Sequence, residues 1–503
     1  MLQFEMLPAS WSALLSTFRS CFTRPGFRTF VVLISGLVAQ PARRTVTGML
    51  IGAGVSRAWH HSRAYRFLGS ARWCVDQVGL VLLKVIVDRL LPAEAPVLIG
   101  IDDTLFRRSG PKVHAAAWQH DGAAKGPREN RVGWGNCWVI AGVIVQLPFL
   151  ARPVCLPVAF ALWRPDNRKP GKGRTGKAKS GQGPTGKATS GTAQPPRTKP
   201  VRSRSGRNEA TAVKGPSKQT LMCRMVTAIA QACPGRQIHV VADSWYAGAD
   251  GAPGAGHPQH GPRDRGLPAG VTLTSRLRAN AALNAIAVPV PGKAGRPKRI
   301  GDKIGTPKDL ADRADTTWTP TTVHRYARTS TVTIAETRCL WYGAYRSRTV
   351  RVILVREPAS TATAGYDLAL ITTDLTTPAA AIVERYAARW SIEVAIEDAK
   401  QLTGVGEARN RTATAVQRTV PLALITQSLV VTWYALHGHH PNDAAERRTQ
   451  APWYTTKTQP AYQDMITKLR RTLIAARFRA GTHRNPTPQE TLAVHLAWAD
   501  AAA

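Results

Sequence analysis

The sequence predicts an α/β protein built on a mixed sheet, with a helical N-terminal region ahead of the sheet and a β-rich insertion inside it. Three observations predict this. Apolar positions recur at helical spacing through residues 45–91. Continuous apolar runs of strand length follow at 97–101 (VLIGI), 238–241 (IHVV) and 368–372 (LALIT), with helical stretches between them. Between the second and third runs, residues 271–356 break into short alternating segments divided by turn residues.

The chain has 503 residues, enough for roughly three domains. Its 68 Lys and Arg stand against 31 Asp and Glu, a formal net charge of +37. A charge of that size on one soluble chain repels itself, and its usual compensation is a polyanion, above all nucleic acid. Chemistry on small acidic molecules would not require it. With 44% apolar and 20% charged residues, the chain is too apolar to be a disordered basic tail. The longest apolar run near the N-terminus, 29–39 (TFVVLISGLVA), falls well short of the roughly 20 residues that cross a bilayer, so no membrane span is expected. Glu5 ahead of any basic stretch, with no small-residue cleavage site, argues against a secretory signal. The seven cysteines, at 21, 74, 137, 155, 223, 233 and 339, contain no C-x-x-C pair. They indicate neither a disulfide framework nor a zinc site, and a reducing cytoplasm fits them.

Taken in order, residues 1–95 are expected to form a helical domain that binds DNA. There, 59–73 (WHHSRAYRFLGSARW) sets His60, His61, Arg63 and Arg66 among aromatics, a pattern that suits a DNA backbone as well as a plain helix surface. Pro92 and Pro96 end this region, and 96–163 open the sheet with strands at 97–101, 138–147 and 154–162. Residues 164–218 carry 15 Lys and Arg, 2 acids and a tandem ten-residue repeat at 171–190, with almost no large apolar residue. Such a segment cannot bury enough apolar surface to offset its ordering entropy, and disorder is expected. Its G-x-G-x-x-G and G-x-x-x-x-G-K patterns lack the strand, the helix and the Ser or Thr of a working phosphate loop.

Residues 219–269 resume the core with a helix at 219–232 and a strand that ends at Asp243. Residues 270–365 form the β-rich insertion. In it Trp318 and Trp341 read as core residues and Gly295-Arg296-Pro297-Lys298 as a basic hairpin loop, while His239, inside the preceding strand, reads as a core histidine. Residues 366–440 close the core with the strand 368–372 and helical patterns at 379–400 and 416–436, and 441–503 form a C-terminal region without a clear pattern.

Two features carry chemistry. Asp102 and Asp103 follow one strand-length run and Asp243 follows another, so short, firmly placed carboxylates are delivered from two strand ends. Downstream, Tyr386, Arg389, Glu393 and Lys400 are spaced 3, 4 and 7 residues apart, which on one continuous helix puts all four on one face, with Glu397 beside them. By spacing alone, the same stripe reads as a solvated face laced with i,i+4 ion pairs. Three carboxylates from two strand ends and a helix can gather at one sheet edge around divalent cations, as phosphodiester chemistry asks.

At these residues the chain resembles the DDE transposases of bacterial insertion sequences, in the group whose last acid lies in a Y-x2-R-x3-E-x6-K motif, matched here by Tyr386, Arg389, Glu393 and Lys400. The resemblance implies a ribonuclease-H-like core with catalytic acids at Asp102-Asp103, Asp243 and Glu393. It favours Asp103 of the adjacent pair, so that Asp103, Asp243 and Glu393 hold two Mg²⁺, with Mn²⁺ as a substitute. It also implies that Tyr386, Arg389 and Lys400 contact phosphates of the transposon end. The implied partners are double-stranded DNA, both element ends and target, and a second copy of the chain on that DNA, with no membrane, at the nucleoid of a bacterial cytoplasm. The implied activity is cleavage at the element's ends followed by attack of the freed 3′-hydroxyl on target DNA. A structure-specific nuclease on the same fold, or a domesticated DNA-binding protein without activity, are the alternatives.

Overall fold

The apolar text of the first ninety residues folds as five helices, α1 (Ala9–Ser16), α2 (Arg24–Ala39), α3 (Val46–Gly52), α4 (Ser62–Gly69) and α5 (Val75–Leu90). They are seen in a computed structural model that describes residues 7–122, 132–164, 215–248, 266–287 and 298–479. The basic repeat at 171–190 and Gly295, Arg296 and Pro297 of the basic loop lie outside the described residues. Thr23 caps α2 by accepting from the Gly26 amide, and Pro25 sits in its first turn, where a missing N–H costs nothing. The run expected to be too short for a membrane is the buried body of α2, from Phe27 to Val38. Burying each Val, Leu, Ile or Phe of that kind is worth about 1.5–3 kcal/mol. Close packing of α2 on α3 requires Gly36, since a Cβ there would lie 1.9 Å from the Met49 carbonyl oxygen.

The sheet then forms from β1 (Val97–Arg107), β2 (Ala117–His120), β3 (Val132–Val145) and β4 (Val154–Trp163). Helix α6 (Lys218–Ala232) follows, capped by Ser217, and leads into β5 (Ile238–Ala242) and β6 (Val271–Arg276). A small hairpin of β7 (Leu283–Asn284) and β8 (Lys303–Gly305) precedes α7 (Pro307–Asp312). Next come β9 (Thr319–Arg325), β10 (Arg328–Cys339), α8 (Tyr342–Tyr345), β11 (Val350–Arg356) and β12 (Leu368–Thr372). Tyr326 and Ala327, both at positive φ, make the two-residue turn between β9 and β10. Helices α9 (Ala379–Ala387), α10 (Trp390–Gln401), α11 (Ala413–Trp433), α12 (Asp443–Gln450) and α13 (Tyr462–Arg479) complete the described chain.

The main sheet is mixed, in the order β2-β3-β1-β5-β6-β12-β11-β10-β9, with β4 also paired to β3. Strands β1, β5 and β6 are parallel neighbours and the remaining pairs are antiparallel. The architecture is that of a ribonuclease-H-like α/β core. From the 270–365 segment, β6 joins this sheet and β9, β10 and β11 extend it past β12, while β7 and β8 form a separate two-stranded sheet. The N-terminal helices share one apolar cluster with α11 and α13. Arg418 of α11 donates to the carbonyls of Phe67 and Trp73, and Arg470 of α13 donates to that of Val38.

Two expectations about local structure are corrected. The acids Asp102 and Asp103 do not end their strand, because β1 continues antiparallel to β3 as far as Arg107, and only its parallel pairing to β5 stops, at Ile101. The pattern at 379–400 is two helices. The Ser391 hydroxyl takes the Ala388 carbonyl at 2.7 Å, and around it Arg389, Ser391 and Ile392 bond three residues back, tightening the chain into a turn between α9 and α10. The segment 413–438, α11 with the turn after it, is long and apolar enough to cross a membrane, but it is mostly buried inside the protein. Gln427 in it bonds the Ala395 carbonyl and Ser428 bonds that of Pro157, which pins the helix between α10 and β4. All seven cysteines are free, and His239 is a buried strand residue bonded to Thr272 at 2.6 Å. Trp341 is buried as expected, and Trp318 is half-buried under the Arg356 guanidinium.

Asp374, in the loop that leads to α9, accepts from the amides of Thr376 and Thr377, the Thr377 hydroxyl and Arg385. Burial alone would raise its pKa, but these donors outweigh it and hold the carboxyl well below the usual range. A depressed folded pKa contributes stability above the unfolded value of about 3.9, and that contribution fades as pH falls toward the folded one. D374N is therefore expected to destabilise by about 3 kcal/mol at neutral pH, as breaking a buried pair does. Melting temperatures measured against pH should show a constant gap to the parent above about pH 5 and a narrowing gap below about pH 4.

Candidate active site

The parallel pairing of β1 and β5 brings the acids together. Ile101 lies beside Ala242, so the next residues, Asp102 and Asp243, emerge side by side where that pairing ends. Successive residues of β1 face opposite sides of the sheet. A Cβ on Gly100 would touch Ile392 of α10 at 3.5 Å, so Gly100 and Asp102 face α10, and Asp103 faces α6. On the α10 side, the Arg389 guanidinium bonds Glu393 Oε1 at 2.6 Å and stands 3.7 Å from Asp102 Oδ2. The Tyr386 ring lies 5.7 Å from the same guanidinium. The motif thus stays together across the α9–α10 turn, with Arg389 at its hub. Lys400 sits two turns along α10, half-buried, 5.8 Å from the Phe106 ring.

Charge is concentrated and partly desolvated here. Burial, with the nearby charges of Asp103 and Asp243, pushes Asp102 up to about 7, against the pull of Arg389 and of the Asp103 amide, which donates to Asp102 Oδ1 at 2.8 Å. Asp243 is raised by burial and by Asp103, although it accepts from the Trp245 amide and faces Arg389. Burial would lower Arg389, but Tyr386, Glu393 and Asp102 outweigh it and raise it. Lys400 is lowered by burial, with Asp121 and Asp102 opposing. A site in which acids resist ionisation beside one another is one that an added cation would relieve.

Asp103 has different company. The Lys218 ammonium lies 2.5 Å from its Oδ2 and the Tyr246 hydroxyl donates to its Oδ1 at 2.9 Å. The Cys137 thiol, which burial pushes up to about 12, lies 3.6 Å from Oδ2. Strand alternation thus sets Asp102 toward Arg389 on the α10 side and Asp103 toward Lys218 on the α6 side, where Asp103 also acts on Asp243. Lys218 and Tyr246 went unnoticed in the sequence. Lys218 closes the low-complexity segment and reads as part of it, while Tyr246 had one signal, an aromatic three residues after a strand-end acid.

Hard carboxylate oxygens from the Asp102-Asp103 pair, Asp243 and Glu393 suit a cation such as Mg²⁺. Among the described residues no three acidic, imidazole or thiol groups are drawn in tightly enough to make a metal cluster, because the Arg389 guanidinium takes the place of a cation between Asp102 and Glu393. The donors and the raised Asp102 and Asp243 fit a divalent ion that takes over this compensation.

The family model described as DDE superfamily endonuclease matches residues 17–348, about two thirds of the chain, which includes Asp102, Asp103 and Asp243. No curated protein matches the chain.

Removing the guanidinium tests this charge balance. R389A is expected to lower metal-free stability by about 1–3 kcal/mol, the usual cost of leaving a buried polar partner unpaired. Added Mg²⁺ should then raise the melting temperature of R389A by more than it raises that of the parent, as differential scanning fluorimetry would show.

Proposed function

The chain belongs to the DDE superfamily of endonucleases, enzymes of the nuclease and transposase type whose substrate is DNA, and we propose that it is an insertion-sequence transposase that cuts at element ends and joins them to target DNA. One observation carries this reading: Arg389 of the Y-x2-R-x3-E-x6-K motif bonds Glu393 and reaches Asp102, so the motif helix is tied to the strand that bears the first acid. A solvated helix face would have no reason to enter the sheet's carboxylates.

In this proposal Asp243, Glu393 and an acid of the adjacent pair Asp102-Asp103 hold Mg²⁺. Bound there, Mg²⁺ would lower the pKa of a water or 3′-hydroxyl and stabilise the leaving oxygen. The chain's own residues do the rest. Arg389 would present a planar fork to a phosphate of the element end, and Tyr386, lying against it, would hold that fork in place. Lys400 adds a point charge two turns further along α10. Burial of Asp102 and Asp243 keeps water from screening these contacts. The surplus of +37 holds the polyanion, element end and target alike, and two copies of the chain bring two ends together. The protein acts at the bacterial nucleoid.

The test is a joining assay with Mg²⁺, labelled DNA that carries the gene's own flanking ends, and a supercoiled target. The parent should give joined product. D102N/D103N, D243N and E393Q should each lose at least about 10³-fold in rate while still retaining the DNA in gel shift, because binding rests on the basic surface and chemistry on the acids. Cleavage without joining would make the chain a structure-specific nuclease, and binding without either reaction would make it a domesticated DNA-binding protein.

A further inference from the structure

We propose that the loop after β1 and the segment 408–411 together form a binding site for phosphates of the DNA backbone, with Arg409 and Arg411 as the contacting groups and Arg108 as the charge behind them. The site itself needs no assignment of the acids. Its place along the DNA rests on the reading under Proposed function, in which the phosphate that is cut lies at the sheet's carboxylates.

Three observations carry it. First, two stretches 300 residues apart in sequence are laced together at their arginines. Arg108 Nη1 donates to the Ala408 carbonyl at 2.7 Å, Arg409 donates to the Ser109 hydroxyl at 3.0 Å, and the His114 amide donates to the Arg411 carbonyl at 2.9 Å. The Arg411 guanidinium stands near Gly110, where a Cβ would lie 3.9 Å from its Nη2. Second, Arg108 is a buried cation without an anion. It is 7% exposed, its Nε donates to Asn136 Oδ1 at 2.9 Å, and its Nη2 has no partner. Its acceptors are neutral, and burial pushes it down to about 10. Third, the acids nearest in sequence are turned to other cations. Asp121 pairs with Arg107 and Glu407 with Arg44, and neither 104–120 nor 408–442 contains an acid. Among the described residues, Arg108, Arg409 and Arg411 pair with no carboxylate.

Guanidinium groups gathered without a counter-ion repel one another, and an anion that completes the cluster removes that cost. An arginine's planar fork matches two oxygens of one phosphate. Arg409 and Arg411 are exposed, so a DNA backbone can reach them directly. Arg108 lies beneath, holds the Ala408 carbonyl that precedes them, and adds a charge that water screens poorly. The strand sets the spacing. Arg108 is six residues beyond Asp102 on β1 and its continuation, which at a strand's rise of about 3.3 Å per residue is about 20 Å. At about 3.4 Å per phosphate of one DNA strand, that is about six phosphates from the one that is cut.

The full chain and two DNA probes test the proposal. With a random-sequence duplex, affinity is read against salt for the parent, R409A/R411A and R409K/R411K. Each phosphate contact contributes about 0.9 to the slope of log K against log salt, so R409A/R411A should lose about 2 from that slope. R409K/R411K, which keeps both charges, should recover most of it. With the gene's own flanking end, a single methylphosphonate, which removes one phosphate charge, is moved stepwise away from the cut. Parent affinity should fall when the methylphosphonate lies about six phosphates from the cut, and R409A/R411A should show no fall there. A parental slope in R409A/R411A would overturn the site, and so would a loss that R409K/R411K does not restore, since it would then not be a loss of charge. Equal methylphosphonate effects in parent and R409A/R411A at every position would overturn its place on the DNA. A parent that shows the slope difference but cuts no flanking end would leave the site standing and sink the transposase reading.

Discussion

One register decides the rest of the site: β1 and β5 run parallel with Ile101 beside Ala242, and their pairing ends there. Asp102 and Asp243 are the first residues past that point, so backbone hydrogen bonds, and no flexible loop, set how far apart they are. A slip of one residue would turn Asp102 to the α6 side and Asp103 to the α10 side, because side chains alternate along a strand. The buried runs on both sides, Ile99 and Ile101 on β1 and Val240 and Ala242 on β5, make such a slip costly.

Charge compensation follows from that placement. Two aspartates and a helix glutamate brought to one partly desolvated place repel one another, and burial pushes Asp102 and Asp243 up accordingly. The protein answers with Arg389 on one face of the sheet and Lys218 on the other. The two cations differ in consequence. Lys218 is closed in by Asp103, Cys137 and the Trp163 ring, while Arg389 lies between Asp102 and Glu393.

Much of this was legible in the sequence, for reasons that differ by element. Strands β1, β5 and β12 were visible as short apolar runs because they are central and buried on both faces. The spacing of Tyr386, Arg389 and Glu393 kept its meaning although the helix breaks between them, since a tight turn costs little rotation over three or four residues. The choice between Asp102 and Asp103 was not legible. Which of the two faces α10 is a tertiary fact, seen in the contact that a Cβ on Gly100 would make with Ile392. The end of β1 was also misjudged, because polar residues at 102–104 look like a strand terminus until β3 is seen to pair with them. Lys218 was hidden by its neighbours, in a segment whose composition gives no sign that its last residue is structural.

The central claim is that the acid pair Asp102-Asp103, Asp243 and Glu393 surround one cation site. Iron-directed scission tests it most directly: Fe²⁺ is loaded in place of Mg²⁺, ascorbate and peroxide are added, and the cut peptides are mapped by mass spectrometry. Scission close to residues 102, 243 and 393, suppressed by excess Mg²⁺, is the predicted result. Cuts elsewhere in the chain, or cuts at these places that Mg²⁺ does not suppress, would contradict it.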